Sequence, residues 1–223
     1  MGEVDARSKP WPARTAEGAA TAVTELRAGD AEAAVGLLAR AFRDNPLNRA
    51  VIGTGAEHRV RVNAAGLRPQ VPAILESGWA LAARSPDDAS GALSGVLLAT
   101  PPGGHAVRTP RWSVRLRALV GQGWGVSRRW AEVQDQLHPY RPARPHVYLA
   151  LLGVEPAQQR GGVGAALVAA FLAKADATDE SVWLETDRPE NVAFYQRAGF
   201  VAAGELRVFG VPVWLLQRPA RGG

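Results

Sequence analysis

The sequence predicts a mixed α/β domain, with a sheet of about seven strands flanked by helices and an extra helical segment between the third and fourth strands. Three observations carry this. Short apolar runs alternate with stretches of helical period along the chain. Strand candidates near both ends are joined by turns too short to hold a helix, which makes them antiparallel pairs. In the middle, an apolar run ending at Val154 passes through a polar loop into the glycines Gly161, Gly162 and Gly164, which open a helix.

The chain has 223 residues, enough for one large domain, which we place at residues 21–218. Residues 1–20 hold Gly2, Pro10, Pro12 and Gly18 among few large apolar groups and read as a mobile leader. Thr21 to Leu26 follow as a first strand. Gly29 and Asp30 supply a turn and an N-cap for a helix from Ala31 to Phe42, with Val35, Leu38 and Phe42 on one face. Asp44, Asn45 and Pro46 end that helix. A second helical stretch runs from about Glu57 to Glu76, and Pro69 and Pro72 should interrupt it.

Trp79 to Arg84 and Ala92 to Thr100 read as antiparallel strands joined by a turn around Pro86, Asp87, Asp88 and Gly91. Residues 101–145 form a basic stretch with Trp112, Trp124 and Trp130 interleaved by Leu116, Leu119, Val120, Val126 and Val133. Helices are expected on either side of Gly121, Gly123 and Gly125, with a proline-rich exit at 139–145. Two roles fit this segment, and they are compatible: covering helices whose tryptophans fill core, or a lid that shapes a substrate pocket. Beyond the central unit come a strand from Ser181 to Thr186, a short helix from Glu190 to Ala198, and a terminal strand pair, Gly199 to Phe209 and Val211 to Gln217.

Composition removes several classes of function. Apolar residues make up 47% and charged residues 21%, ordinary for a folded protein. The absence of cysteine excludes disulfides, thiolate metal sites and a cysteine-bound intermediate, and suits a cytoplasmic location. No apolar run approaches the roughly 18 residues that span a bilayer, so no membrane partner is expected. The four histidines, His58, His105, His138 and His146, have no metal-ligand spacing, and no metal is expected. His146, just ahead of the central strand, is the one nearest the chemistry. The net charge of +5 comes almost wholly from arginine, with Lys9 and Lys174 the two lysines. These arginines are scattered, with no nucleic-acid-binding motif beside them, so nucleic acid is not an expected partner. A polyanionic cofactor would use the same charge.

The glycine turn is the feature most open to chemistry. The first N–H groups of a helix lack internal partners and carry roughly +0.5 charge from the macrodipole, which suits a phosphate. A P-loop is excluded, because Gly164 is followed by Ala165 and Ala166 where lysine and Ser or Thr are needed. A dinucleotide fingerprint fits poorly. Its third glycine position is Leu167, and the loop from Glu155 to Arg160 separates strand from glycines, although Glu185 lies about twenty residues on. A glycine turn without a ligand also remains.

The run Gln159-Arg160-Gly161-Gly162-Val163-Gly164, preceded by Gly153-Val154-Glu155-Pro156, resembles the Q-x-x-G-x-G/A signature of the GCN5-related N-acetyltransferases (GNAT). A second set agrees in order and spacing: Leu184-Glu185-Thr186, Asn191, Phe194-Tyr195 and Gly199-Phe200. Together they span residues 147–200. The phrases Leu137-His138-Pro139-Tyr140-Arg141-Pro142 and Asn191-Val192-Ala193-Phe194-Tyr195, with Ala41-Phe42, Asp44 and Pro46, further resemble puromycin N-acetyltransferase and its relatives.

The resemblance implies acetyl-CoA as co-substrate, with its pyrophosphate on the loop of Gln159, Arg160, Gly161, Gly162, Val163, Gly164 and Ala165. It implies a pantetheine arm paired with Leu152, Gly153 and Val154 and held by Asn191, and Gly153 should permit an irregular strand there. Tyr195 matches the acid that protonates the departing thiolate, and Asn191, four residues earlier, shares its helical face. Glu185 is the candidate base, direct or through water, as in ribosomal-protein acetyltransferases with a similar phrase to Trp183-Leu184-Glu185. An alkyl amine of pKa near 10.4 is neutral about once in 10³ to 10⁴ molecules at pH 7, a deficit of roughly 4 to 5 kcal/mol. Asp44, Glu132 and Asp187 could offer negative charge to a cationic acceptor.

The implied reaction is acetyl transfer in a ternary complex to a primary amine of a small molecule, an antibiotic or aminonucleoside, hence a role in antibiotic resistance. The alternatives are a peptide N-terminus or lysine as acceptor, or a non-catalytic CoA-binding regulator. A monomer or homodimer is expected.

Overall fold

Among the residues that the computed structural model describes, 21–84, 91–102 and 121–222, seven strands form one sheet. They are β1 (Ala22–Glu25), β2 (Trp79–Arg84), β3 (Leu93–Thr100), β4 (Val147–Val154), β5 (Val182–Thr186), β6 (Val201–Val208) and β7 (Val211–Arg218). Their order in space is β1-β2-β3-β4-β5-β7-β6, and only the β4–β5 pair is parallel. Among the same described residues, six α-helices flank the sheet: α1 (Ala31–Ala41), α2 (Pro46–Ile52), α3 (Ala56–Ser77), α4 (Trp124–Leu137), α5 (Val163–Ala177) and α6 (Pro189–Arg197). The expected extra helical segment between the third and fourth strands is represented by α4. None of the described helices is long and apolar enough to cross a membrane.

Helix α5 is the crossover between the parallel strands. It buries Leu167 and Phe171 against Leu97, Leu149 and Leu184 on one face of the sheet. Full burial of one such side chain contributes about 1.5–3 kcal/mol. On the opposite face, α1 and α3 cover β2 and β3 through Leu37, Leu38, Val71 and Ile74, while α2 and α4 cover Trp183, Val213 and Leu215. That face is therefore covered in two halves, which meet where β4 runs beside β5.

Three expectations need correction. Asp30 stands at the N-cap position of α1 without making a side-chain cap; its Oδ2 pairs instead with Arg84 at 2.6 Å, a charge partner stronger than a backbone N–H. Pro69 and Pro72 do not interrupt α3, which continues through both. A proline inside a helix costs about 3 kcal/mol, and the burial of Leu67, Val71 and Ile74 against α1 and the sheet is of the same order as the two together.

Gly153 is the third. It pairs regularly with Val96, and the irregularity lies upstream: Leu98 faces Leu151 while Ala99 faces Leu149, so Ala150 is the extra residue of a bulge. What Gly153 provides is close approach, since a Cβ there would lie 2.7 Å from Leu38 Cδ2 and 3.2 Å from Ala41 Cβ of α1. Gly95, on β3, does the same for α5, where a Cβ would meet Val163 Cγ1 at 2.8 Å. Both helices thus approach the sheet closely at the C-terminal end of β4. The leader, the turn residues Pro86, Asp87 and Asp88, and His105, Trp112, Leu116, Leu119 and Val120 lie outside the described residues.

Gly153→Ala should lower unfolding stability by about 1–3 kcal/mol through overpacking against a fully buried Leu38. Urea denaturation measures this, and an unchanged midpoint would mean that α1 does not rest on Gly153.

Candidate active site

The parallel pairing of β4 with β5 covers only Val147 with Val182 and Tyr148 with Trp183. Beyond that point β4 stays with β3 and β5 stays with β7, so the two strands part. Alternate residues of an edge strand turn their N–H and C=O groups outward. Leu152, Gly153 and Val154 lie on this parted length, with the bulge at Ala150 just before them.

At the end of β4 the backbone turns sharply. Glu155 N donates to Ser94 O at 2.9 Å, Pro156–Gln158 make a 3-10 turn, and Gln159 Nε2 returns to Val154 O at 3.2 Å. Arg160 (φ 67°) and Gly162 (φ 89°) are both left-handed, a costly state for arginine and a free one for glycine. Gly162 is the N-cap of α5, and the chain's first bond into the helix is Ala166 N to Gly162 O at 3.0 Å. The N–H groups of Val163, Gly164 and Ala165 accordingly have no helical acceptor. Glu155, the single acid of this loop, is held by Arg40 of α1 with Nη2 to Oε2 at 2.7 Å, which offsets its negative charge beside the open N–H groups of α5.

Gly164 joins this turn to α6. A Cβ there would lie 3.6 Å from Val154 Cγ2 and 3.9 Å from Phe194 Cζ. Tyr195 follows, buried with its ring edge-on to Phe194 and Phe200 at centroid distances of 5.0 and 5.4 Å. Burial pushes its phenol well above the ordinary range, so it stays protonated. Asn191 donates from Nδ2 to Thr186 Oγ1 at 3.0 Å, and the same hydroxyl accepts Arg188 N at 3.4 Å, which ties the start of α6 to the end of β5.

Glu185 lies on the other face of the sheet, opposite Leu215 of β7. Its side chain is only 6% exposed. Oε1 accepts from Arg141 Nε and Trp183 Nε1, both at 2.8 Å, and Oε2 accepts from the Tyr148 hydroxyl at 2.6 Å and Arg141 Nη2 at 3.5 Å. Arg141 also reaches Gln134 of α4 at 3.0 Å and stacks over the Tyr148 ring at 4.5 Å. Tyr195, in the core cluster beneath α5, and Glu185 therefore lie on opposite faces of the sheet.

Residues 117–200 match the family model described as acetyltransferase (GNAT) family. The stretch so matched holds the glycine turn, Glu185, Asn191 and Tyr195. The chain is an N-acetyltransferase with acetyl-CoA as co-substrate. Solved structures share the GNAT fold over nearly their whole length. A histone acetyltransferase HPA2 and related acetyltransferase from Corynebacterium glutamicum superposes with TM-score 0.63 at 24% identity, covering 90% of this chain and 96% of that one. The ribosomal-protein-S18-alanine N-acetyltransferase from Escherichia coli gives 0.53 at 14%, covering 90% and 94%. The PaiA N-acetyltransferase from Thermoplasma acidophilum, solved in complex with coenzyme A, gives 0.55 at 12%, covering 89% and 98%.

Within the GNAT fold of this chain, the residues singled out in the sequence fall into two groups. Leu152 to Val154, Gln159 to Ala165, Asn191 and Tyr195 gather around the end of β4, α5 and α6, while Glu185 sits apart in its own polar cluster. Sequence reasoning missed what binds Glu185. Arg141 was visible only as a letter in the His-Pro-Tyr-Arg-Pro phrase, and Tyr148 only as an aromatic in an apolar strand. Asp187, buried and with its carboxyl raised by that burial, accepts Leu47 N at 2.7 Å and so caps α2 from a distance. At the other end of α2, Arg129 Nε donates to Val51 O at 2.6 Å. His146 is buried with Nδ1 against Arg144 O at 2.9 Å. Asp44 is held by Arg43 and Arg59, whose hydrogen bonds, with their charges behind them, lower its carboxyl, and Glu132 accepts from Gln136 on an exposed face.

Two of the three tyrosines, Tyr148 and Tyr195, have phenols raised by burial. Spectrophotometric titration should find these two ionising above the ordinary value of about 10, with Tyr148→Phe and Tyr195→Phe each deleting only late-titrating absorbance. Because the unfolded phenols ionise first, stability held below pH 10 should fall as pH rises toward the folded values.

Proposed function

We propose that this chain transfers the acetyl group of acetyl-CoA to a primary amine of a small molecule, of the antibiotic or aminonucleoside kind, by direct attack in a ternary complex. The observation that carries this reading is the continuity from the open N–H groups of α5, along the parted edge of β4, to the fork where β4 leaves β5. An anion held at the first end and an extended arm laid along β4 bring a thioester toward the fork, with Tyr195 on one side and Glu185 on the other. Val163, Gly164 and Ala165 would hold the pyrophosphate with Gln159, Arg160, Gly161 and Gly162 shaping the turn. Leu152, Gly153 and Val154 would pair with the arm, assisted by Asn191.

In the transfer, the neutral amine forms the C–N bond, the C–S bond breaks, the Tyr195 hydroxyl gives its proton to the departing thiolate, and the N–H proton that the acylated nitrogen sheds restores the Tyr195 phenol. A phenol kept protonated by burial suits that role. Glu185 takes the proton that the ammonium must lose before attack. A small acceptor is favoured by α2 and α4, which lie over the Glu185 face of the sheet, and by the puromycin-acetyltransferase-like phrases. A peptide acceptor is the second reading, favoured by structural neighbours named for histone and ribosomal-protein acetylation.

The test is acetyl-CoA turnover on a panel of aminated antibiotics, aminonucleosides, peptide N-termini and lysine peptides, with products weighed by mass spectrometry. Addition of one acetyl group to small amines and not to peptides is expected; the reverse pattern establishes the peptide reading. Tight acetyl-CoA binding with no transfer to any amine would instead make the chain a CoA-binding regulator. Tyr195→Phe should lower kcat by about 10²-fold or more while leaving acetyl-CoA affinity near that of the parent.

A further inference from the structure

Glu185 has no vacant acceptor position. An ionised carboxylate offers about four lone-pair sites, and Arg141 Nε, Arg141 Nη2, Trp183 Nε1 and the Tyr148 hydroxyl occupy them. A proton leaving an amine can reach this carboxylate only through one of those donors. Arg141 keeps its proton at any working pH, and an indole N–H donates without accepting. A phenol does both.

The acetyl-transfer reading above being granted, we propose that Tyr148 is a further catalytic residue of this chain, the hydroxyl that relays the acceptor amine's proton to Glu185. In that step an N–H bond of the ammonium breaks and an O–H bond forms at Tyr148. The original Tyr148 O–H bond breaks and a new one forms at Glu185 Oε2, 2.6 Å away. One positive and one negative charge vanish together, leaving a neutral amine with its lone pair.

The surroundings fit a relay. Tyr148 is the last residue of β4 paired with β5, so it stands at the apex of the fork, two residues before the bulge at Ala150. Tyr148 and Glu185 are both half-buried residues, and the Glu185 side chain is 6% exposed. Arg141 Nη2 donates to the Tyr148 oxygen at 3.2 Å, which turns the phenol's own hydrogen toward Glu185 and fixes the direction of transfer. Burial and the charge of Glu185 raise Tyr148 well above the ordinary phenol range, so it passes a proton without becoming an anion first. The charged groups touching it are Glu185 from β5 and Arg141 from the segment before β4; α4 adds the neutral Gln134, and β7 places Leu215 opposite Glu185.

Tyr148→Phe keeps the ring under the Arg141 guanidinium and removes only the hydroxyl. The experiment compares this variant with the parent on an alkyl amine from the acceptor panel and on its aryl-amine analogue, which is already neutral at pH 7. With the alkyl amine, kcat/KM should fall by about tenfold or more at pH 7 and recover as pH approaches the amine's pKa of about 10.4. The aryl analogue should react at the parental rate. Adding Tyr148→Phe to Glu185→Gln should cause no further loss. Equal losses on both amines at every pH, or no loss on either, overturn the relay while leaving the acetyl-transfer reading intact. A parent protein that acetylates no amine overturns both.

Discussion

The parting of β4 from β5 after two residue pairs is the constraint on which the rest of the molecule depends. Each strand has a full partner on its other side, β3 for one and β7 for the other, so neither can follow its neighbour without giving up a longer ladder. The crossover helix α5 fills one face of the sheet and delivers its open N-terminal turn to the tip of β4. A parallel pair of normal length would have closed the cleft into which an extended thioester arm can be laid. The track proposed for the cofactor thus comes from strand pairing, with side chains needed mainly at its two ends.

Charge pairs fix the helices around this fork. Arg40 of α1 holds Glu155 at the head of the glycine loop, Asp187 and Arg129 hold α2 at opposite ends, and Arg141 binds α4, β4 and β5 together through Gln134, Tyr148 and Glu185. The Arg141–Glu185 pair is largely covered, with side chains 17% and 6% exposed. Such a pair adds little net stability, since desolvation offsets its attraction, yet removing one partner strands a buried charge at a cost of about 3–5 kcal/mol. Its effect is geometric: it sets where the Tyr148 hydroxyl points.

Much of this was legible in the sequence, and the reason is local. Strands and helices declare themselves by apolar period, and the glycine turn by its position between them, so the seven described strands and the glycine turn could be placed to within a residue or two. Pro69 and Pro72 misled because burial of Leu67, Val71 and Ile74 against α1 outweighs a local penalty. The seven-residue α2 was not foreseen, since its ends are secured by Asp187 and Arg129, 140 and 78 residues away. Gly153 was read as a site of irregular backbone when it answers to Leu38 of α1. The polar cluster at Glu185 joins residues 44 and 37 positions apart, and no local pattern announces such a contact.

Hydrogen exchange with and without acetyl-CoA tests the account most directly. If the track runs from the N-terminus of α5 along β4 to the fork, binding should slow exchange at outward-facing amides of residues 151–154 and at residues 163–165, while the exposed edge of β6 around residues 201–205 stays unchanged. Protection confined to other segments, or none in residues 151–154 and 163–165 under saturating acetyl-CoA, would contradict it.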